Sequence, residues 1–112
     1  MRVGRTLGLL LVLPGLLWAQ TPNPELRAVV QRENGKRYLH IGRLEQAVNA
    51  FQQSLVLNPR DPETAHRLGT TYFRLREIDA ACQYWNQACE LNDSWCRGQE
   101  FTNHRKLCTP SQ

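Results

Sequence analysis

Two consecutive stretches of equal length decide the fold of this chain. Residues 28–61 read AVVQRENGKRYLHIGRLEQAVNAFQQSLVLNPRD, and residues 62–95 read PETAHRLGTTYFRLREIDAACQYWNQACELNDSW. They align without a gap and are identical at six positions. An internal repeat of this period predicts stacked copies of one supersecondary unit. The identical pairs are Gly35/Gly69, Tyr38/Tyr72, Ala47/Ala81, Gln53/Gln87, Leu57/Leu91 and Asn58/Asn92.

The apolar residues of each unit recur with the period of a helix. In the first unit Leu44, Ala47, Val48, Phe51 and Leu55 fall at positions i, i+3, i+4, i+7 and i+11. The second unit repeats this register at the equivalent positions, from Ile78 to Cys89. This spacing is typical of amphipathic helices and does not fit alternating strands. We therefore predict an all-α chain of about five helices.

Turn and capping signals divide these helices. Asp61 followed by Pro62 is a favourable start for a helix, and Asn23 followed by Pro24 repeats it upstream. Breaks are predicted at Gly42, at residues 58–62 and at residues 92–94. Asp93 or Ser94 is expected to cap a last helix from about Trp95 to Lys106.

Residues 28–95 resemble the tetratricopeptide repeat family, whose unit is a helix–turn–helix of about 34 residues. The matching positions are Gly35, Tyr38, Ala47, Phe51 and Pro59 in the first unit, and Leu68, Gly69, Tyr72, Ala81, Trp85 and Ala88 in the second. The aromatic residue of the family near the start of each unit is replaced by Gln31 and Ala65. The resemblance implies an α/α solenoid of two hairpins, residues 28–61 and 62–95, with a capping helix and tail over residues 96–112.

Residues 1–19 predict a secretory signal peptide. Two arginines precede an apolar run from Leu7 to Trp18, and Ala19 is a small residue for cleavage. Pro14 and the shortness of the run argue against a membrane span, so no stable membrane insertion is expected after cleavage. Residues 20–27 are then a linker and helix start. We expect the protein to be exported, either to a periplasm or out of the cell.

Charge and composition limit the classes of partner. The chain has 14 basic and 10 acidic residues, and removing residues 1–19 takes away two arginines, which leaves a net charge of +2. This is too small to predict a nucleic-acid-binding protein. The sequence also lacks a catalytic pair at motif spacing, a Gly-rich phosphate loop and a haem attachment motif. We expect neither enzymatic activity nor a cofactor.

Four cysteines in a small exported domain predict disulfides. Cys82 and Cys89 lie seven positions apart on one helix, about 10.5 Å along its axis, which is too far for a bond. Antiparallel packing favours Cys89–Cys96 with Cys82–Cys108, while Cys82–Cys96 with Cys89–Cys108 requires a large offset between helices. One alternative is a zinc site of three cysteines and a histidine, formed by Cys89, Cys96, His104 and Cys108. The other is that the cysteines are unpaired and buried, and pack like small hydrophobic residues.

The resemblance also implies a binding surface, because the first helices of stacked hairpins line a concave face. It assigns to this face Val29, Arg32, Lys36, Leu39 and His40 from the first unit, Glu63, His66, Thr70, Phe73 and Arg74 from the second, and Arg97 and His104 from the cap. These residues predict a mildly basic groove with apolar contacts, suited to an extended, acidic peptide. Lys36 and Thr70 replace the asparagines with which some family members hold a terminal carboxylate, so that activity is not transferred.

The sequence thus predicts a non-enzymatic adaptor that binds another protein or a peptide. The alternative is a small structural subunit that stacks on itself or on another repeat protein, since arrays of this type need about three repeats for stability. A metal-binding module is the third hypothesis.

Overall fold

The computed structural model describes residues 23–97 and 99–108, and the predicted signal peptide lies outside these ranges. The described residues form five α-helices and no strand, which confirms the all-α architecture. None of these helices has both the length and the apolar character needed to cross a membrane. The helices are α1 (Pro24–His40), α2 (Leu44–Leu57), α3 (Pro62–Arg74), α4 (Ile78–Leu91) and α5 (Gln99–Cys108).

The helices pack as two antiparallel hairpins, α1 with α2 and α3 with α4. Contacts between α2 and α3 join the hairpins, and α5 packs against α4 at the C-terminal end of the stack. Both predicted helix starts are confirmed. Asn23 Oδ1 accepts a hydrogen bond from the N–H of Leu26 at 2.7 Å. Asp61 Oδ1 accepts one from the N–H of Glu63 at 3.0 Å.

A close approach of helices explains the two repeated glycines. Phe51 and Trp85, the largest core side chains, are at most 1% exposed. A Cβ atom added at Gly35 would lie 2.6 Å from Phe51 Cδ1, and one added at Gly69 would lie 2.5 Å from Trp85 Cδ1. Each glycine therefore provides the space for the aromatic ring of its own hairpin.

The turns inside the two hairpins share one backbone conformation although their sequences differ. Gly42 has a φ of 78° and Arg76, its equivalent in the second unit, has a φ of 66°. Both turns close with the same bond, from the N–H of Arg43 to Tyr38 O and from the N–H of Glu77 to Tyr72 O, each 2.9 Å long. Left-handed backbone costs a residue other than glycine about 1–2 kcal/mol, so Arg76 carries a local strain that Gly42 avoids.

The last helix begins later than predicted. Residues Asp93–Cys96 form a 3-10 turn, and α5 starts only at Gln99 rather than near Trp95. The side chain of Asn92 caps this turn by accepting a hydrogen bond from the N–H of Ser94 at 2.9 Å. Asn92, rather than Asp93 or Ser94, is thus the capping residue, and the tight turn that it starts ends at Cys96.

Candidate functional site

The first helices of the hairpins contact each other along one side of the molecule, which we call the groove face. Arg32 of α1 reaches Asp61, Lys36 reaches Glu63, and Arg74 of α3 reaches the backbone of Leu39. At the other end, His104 of α5 lies against Phe73. We define the groove face by these residues: Arg32, Lys36, Leu39, Asp61, Glu63, Phe73, Arg74 and His104.

The N-terminal half of this face is charge-balanced, not basic. Arg32 Nη1 donates to Asp61 Oδ2 at 2.9 Å, and its Nε lies 3.6 Å from Glu63 Oε2. Lys36 Nζ lies 3.3 Å from Glu33 Oε1 and 3.5 Å from Glu63 Oε1. The two cations that the sequence assigned to a ligand therefore already pair with carboxylates of the chain itself.

These ion pairs also fix the charge of the carboxylates. Burial by itself raises the pKa of Asp61, but hydrogen bonds from Thr64 and Arg32 outweigh it and hold this pKa below its ordinary value. Burial likewise opposes ionisation of Glu63, whose pKa is nevertheless lowered by a hydrogen bond from Arg67 and by the charges of Arg32 and Lys36. Both carboxylates are thus ionised at neutral pH.

The C-terminal half of the groove face combines aromatic rings with Arg74, which forms no ion pair with a carboxylate in the part of the chain that the structure describes. His104 stacks on Trp85 with ring centroids 3.9 Å apart and planes 6° apart, and Phe73 lies 5.8 Å from His104. Arg74 Nη1 donates to Leu39 O at 2.9 Å. Beside these rings an open cavity of about 430 Å³ is lined by Phe73, Arg74, Arg76 and Ile78.

The sequence did not identify Arg76 and Ile78 as residues that line this cavity. Arg76 lies in a turn, outside the helical spacing by which the concave positions were chosen. The sequence does contain one signal for Arg76, because Gly42 of the first unit is replaced by arginine at the equivalent position of the second. An arginine at this position must adopt a backbone conformation that favours glycine.

Among the other residues predicted for the binding surface, two contact tryptophan rings and two polar ones are exposed. His66 faces the ring of Trp95 at 5.1 Å, and Thr70 Oγ1 accepts a hydrogen bond from Trp85 Nε1 at 3.4 Å. His40 is exposed at the end of α1, while exposed Arg97 lies 3.9 Å from Asp93.

The cysteines meet in the nested arrangement that antiparallel packing favoured. Cys82 and Cys108 lie at disulfide distance with Cα atoms 5.3 Å apart, and so do Cys89 and Cys96 at 5.2 Å. The alternative zinc ligands are not brought together, since no group of three or more His, Cys, Asp or Glu side chains among the described residues is arranged to hold a metal ion.

Comparison with known proteins gives matches to repeat families. Residues 35–76 match the family described as TPR repeat, and residues 62–94 match the family described as tetratricopeptide repeat. RNA polymerase II-associated protein 3 of Homo sapiens is 27% identical over 71 residues, which are 63% of this chain but only 11% of that protein. A similar solved structure is "First TPR of Spaghetti (RPAP3) bound to HSP90 peptide SRMEEVD", with a TM-score of 0.67 and 24% sequence identity. The match covers 74% of this chain and 67% of the chain in that structure.

Proposed function

Since residues 35–94 of this chain are tetratricopeptide repeats, we propose that the protein is a non-enzymatic interaction module that binds an extended, acidic peptide on its groove face. One observation carries the proposal. Phe73 of that face lines one cavity with Arg74 and Arg76, and neither arginine forms an ion pair with a carboxylate among the residues that the structure describes. A peptide with acidic and apolar side chains complements such a surface.

The comparisons support a peptide as the partner. The solved relative is described as bound to a peptide, SRMEEVD, which carries two glutamates and an aspartate. Because the chain spans about a tenth of the curated relative, the activity of that larger protein is not transferred. Lys36 does not hold the peptide in our proposal, because it is already paired with carboxylates of the chain.

A selection from a random heptapeptide display library tests this proposal. The selection is expected to enrich peptides rich in aspartate and glutamate. Their affinity should fall about threefold or more in Arg74→Gln, which keeps a donor for Leu39 O but removes the charge. Arg60→Gln is the matched control, since Arg60 is exposed in the α2–α3 turn, at the opposite end of α3. Failure to enrich any peptide, or enrichment of basic peptides, would reject the proposal.

Self-stacking through the N-terminal end has less support. Leu26 and Val30 are about half exposed there, at 55% and 50%. However, Gln31 and Asn34 replace Ala65 and Leu68, which the second unit buries completely. Polar residues at these positions are typical of the outer face of a terminal repeat. Sedimentation velocity should give a monomer at all concentrations, whereas self-association would favour stacking.

We further propose that the protein is exported and that its cysteines are oxidised. The support is the predicted signal peptide together with two cysteine pairs at disulfide distance. N-terminal sequencing of the protein from its native host should give a start at Gln20. A start at Met1 would contradict export.

A further inference from the structure

The turn between α3 and α4 contains a residue whose conformation does not suit its type. Arg76 has a φ of 66°, in the left-handed region that favours glycine, while the equivalent position of the first hairpin is Gly42 with a φ of 78°. The backbone of this turn therefore does not require an arginine. Residues held in such conformations occur preferentially at functional sites. The side chain of Arg76 is therefore a candidate functional group.

The side chain of Arg76 forms one wall of the cavity of about 430 Å³ beside the groove face. Among the described residues, the cavity is also lined by Arg74 and by Phe73 and Ile78, which are apolar and only partly buried. Arg74 also donates to Leu39 O, which fixes the position of its guanidinium. The nearby acidic residues, Glu77 before α4 and Asp79 in its first turn, are exposed and do not line the cavity. The cavity thus combines an apolar floor with two guanidinium groups.

From this combination we propose that the cavity is an anchoring subsite, which takes an apolar side chain of the bound peptide while Arg74 and Arg76 hold an adjacent carboxylate. An arginine guanidinium offers several donors in a planar fork that matches a carboxylate. Apolar contact with Phe73 and Ile78 supplies the second half of the recognition. This inference rests on the proposed function, because it names the part of the partner that the groove face recognises.

The repeat supplies matched variants for the test. Arg76→Gly removes the guanidinium but suits the left-handed backbone, so the variant should fold at least as stably as the parent. Ile78→Ala removes part of the apolar wall, and Leu44→Ala makes the same change at the equivalent position of the first hairpin, outside the cavity.

The probe is the random heptapeptide library, selected in parallel on the parent protein and on Arg76→Gly. Peptides from the parent should carry an apolar residue next to an acidic residue or a terminal carboxylate. Their dissociation constants should rise about three- to fivefold in Arg76→Gly and about fivefold in Ile78→Ala, with little change in Leu44→Ala. A lower affinity in a variant that melts no earlier than the parent excludes a merely structural role for Arg76.

Two negative results are distinguishable. Enrichment of no peptide on the parent protein would reject the proposed function and, with it, this subsite. Enriched peptides that bind equally well to the parent, to Arg76→Gly and to Ile78→Ala would leave peptide binding intact and overturn the subsite.

Discussion

Arg32 on α1 donates a hydrogen bond from Nη1 to Asp61 Oδ2 over 2.9 Å, and so ties the first hairpin to the residue that caps the second. Asp61 is 9% exposed and also accepts hydrogen bonds from the N–H and the hydroxyl of Thr64. One carboxylate therefore serves both to start α3 and to orient the two hairpins.

Replacing this carboxylate should cost much more stability than replacing an exposed helix cap. Asp61→Ala is expected to lower the free energy of unfolding by about 2–4 kcal/mol, because it removes a cap and leaves Arg32 without its closest partner. Asn23→Ala is the matched control at the exposed start of α1 and should cost about 0.5–1 kcal/mol. Urea denaturation measures both losses, and equal values would contradict the role of Asp61 between the hairpins.

Acid should weaken the contact between the hairpins. The pKa values of Asp61 and Glu63 are lowered in the folded protein, so it binds fewer protons than the unfolded chain in the acidic range. Their contribution is complete above the unfolded pKa values of about 4 and is lost as the pH falls below them. Urea titrations at decreasing pH should show that the free energy of unfolding falls, and that it falls less steeply in Asp61→Asn. The same dependence on pH in the variant and the parent would argue against a stabilising role of the Asp61 carboxylate.

Filling the space at the repeated glycines should destabilise both hairpins. A Cβ at Gly69 would lie 2.5 Å from Trp85 Cδ1 and 3.0 Å from the backbone oxygen of Ala81. Gly69→Ala is therefore expected to cost about 1–3 kcal/mol, since neither neighbour moves easily. In a double-mutant cycle, Trp85→Leu should reduce this cost by about 1 kcal/mol. Strictly additive losses would show that the ring is not what requires the glycine.

Reduction of the cysteines should release α5 before the hairpins unfold. In the proposed oxidised state, a bond between Cys82 and Cys108, 26 positions apart in sequence, would hold the end of α5, whereas Cys89 and Cys96 are separated by only 7. The bond that closes the longer loop should contribute more to the free energy of unfolding, on the order of 3–4 kcal/mol. Hydrogen exchange in residues 99–108 is expected to accelerate on reduction while residues 24–74 stay protected.

Paired serine variants separate the two bridges. Cys82→Ser with Cys108→Ser should reproduce the effect of reductant on α5, and Cys89→Ser with Cys96→Ser should have a smaller effect. Peptide mapping without reductant provides the independent check, because a Cys82–Cys96 linkage, or unchanged protection of residues 99–108, would remove the basis for this prediction.

The sequence by itself determined the elements and their order, because these depend on local interactions. Helical spacing from Leu44 to Leu55, and again from Ile78 to Cys89, reports which side of each helix is buried. The caps at Asn23 and Asp61 act on backbone N–H groups in the first turn of their own helices. The internal repeat then predicted the two-hairpin fold, because repeat units of similar sequence stack in the same way. The predicted start of the last helix is wrong because the cap at residues 92–94 starts a 3-10 turn over Asp93–Cys96 and not the α-helix itself.

Only the tertiary structure decided what the groove face offers a partner. The sequence predicts Arg32 and Lys36 as unpaired cations, yet Asp61 and Glu63, at the start of α3, neutralise them once α1 and α3 lie side by side. The cavity beside Phe73 is lined by residues of α3, of the turn at Arg76 and of α4, and the fold of the second hairpin brings them together. The charge balance of the groove face is a property of residues distant in sequence, and the packing of the hairpins determines it.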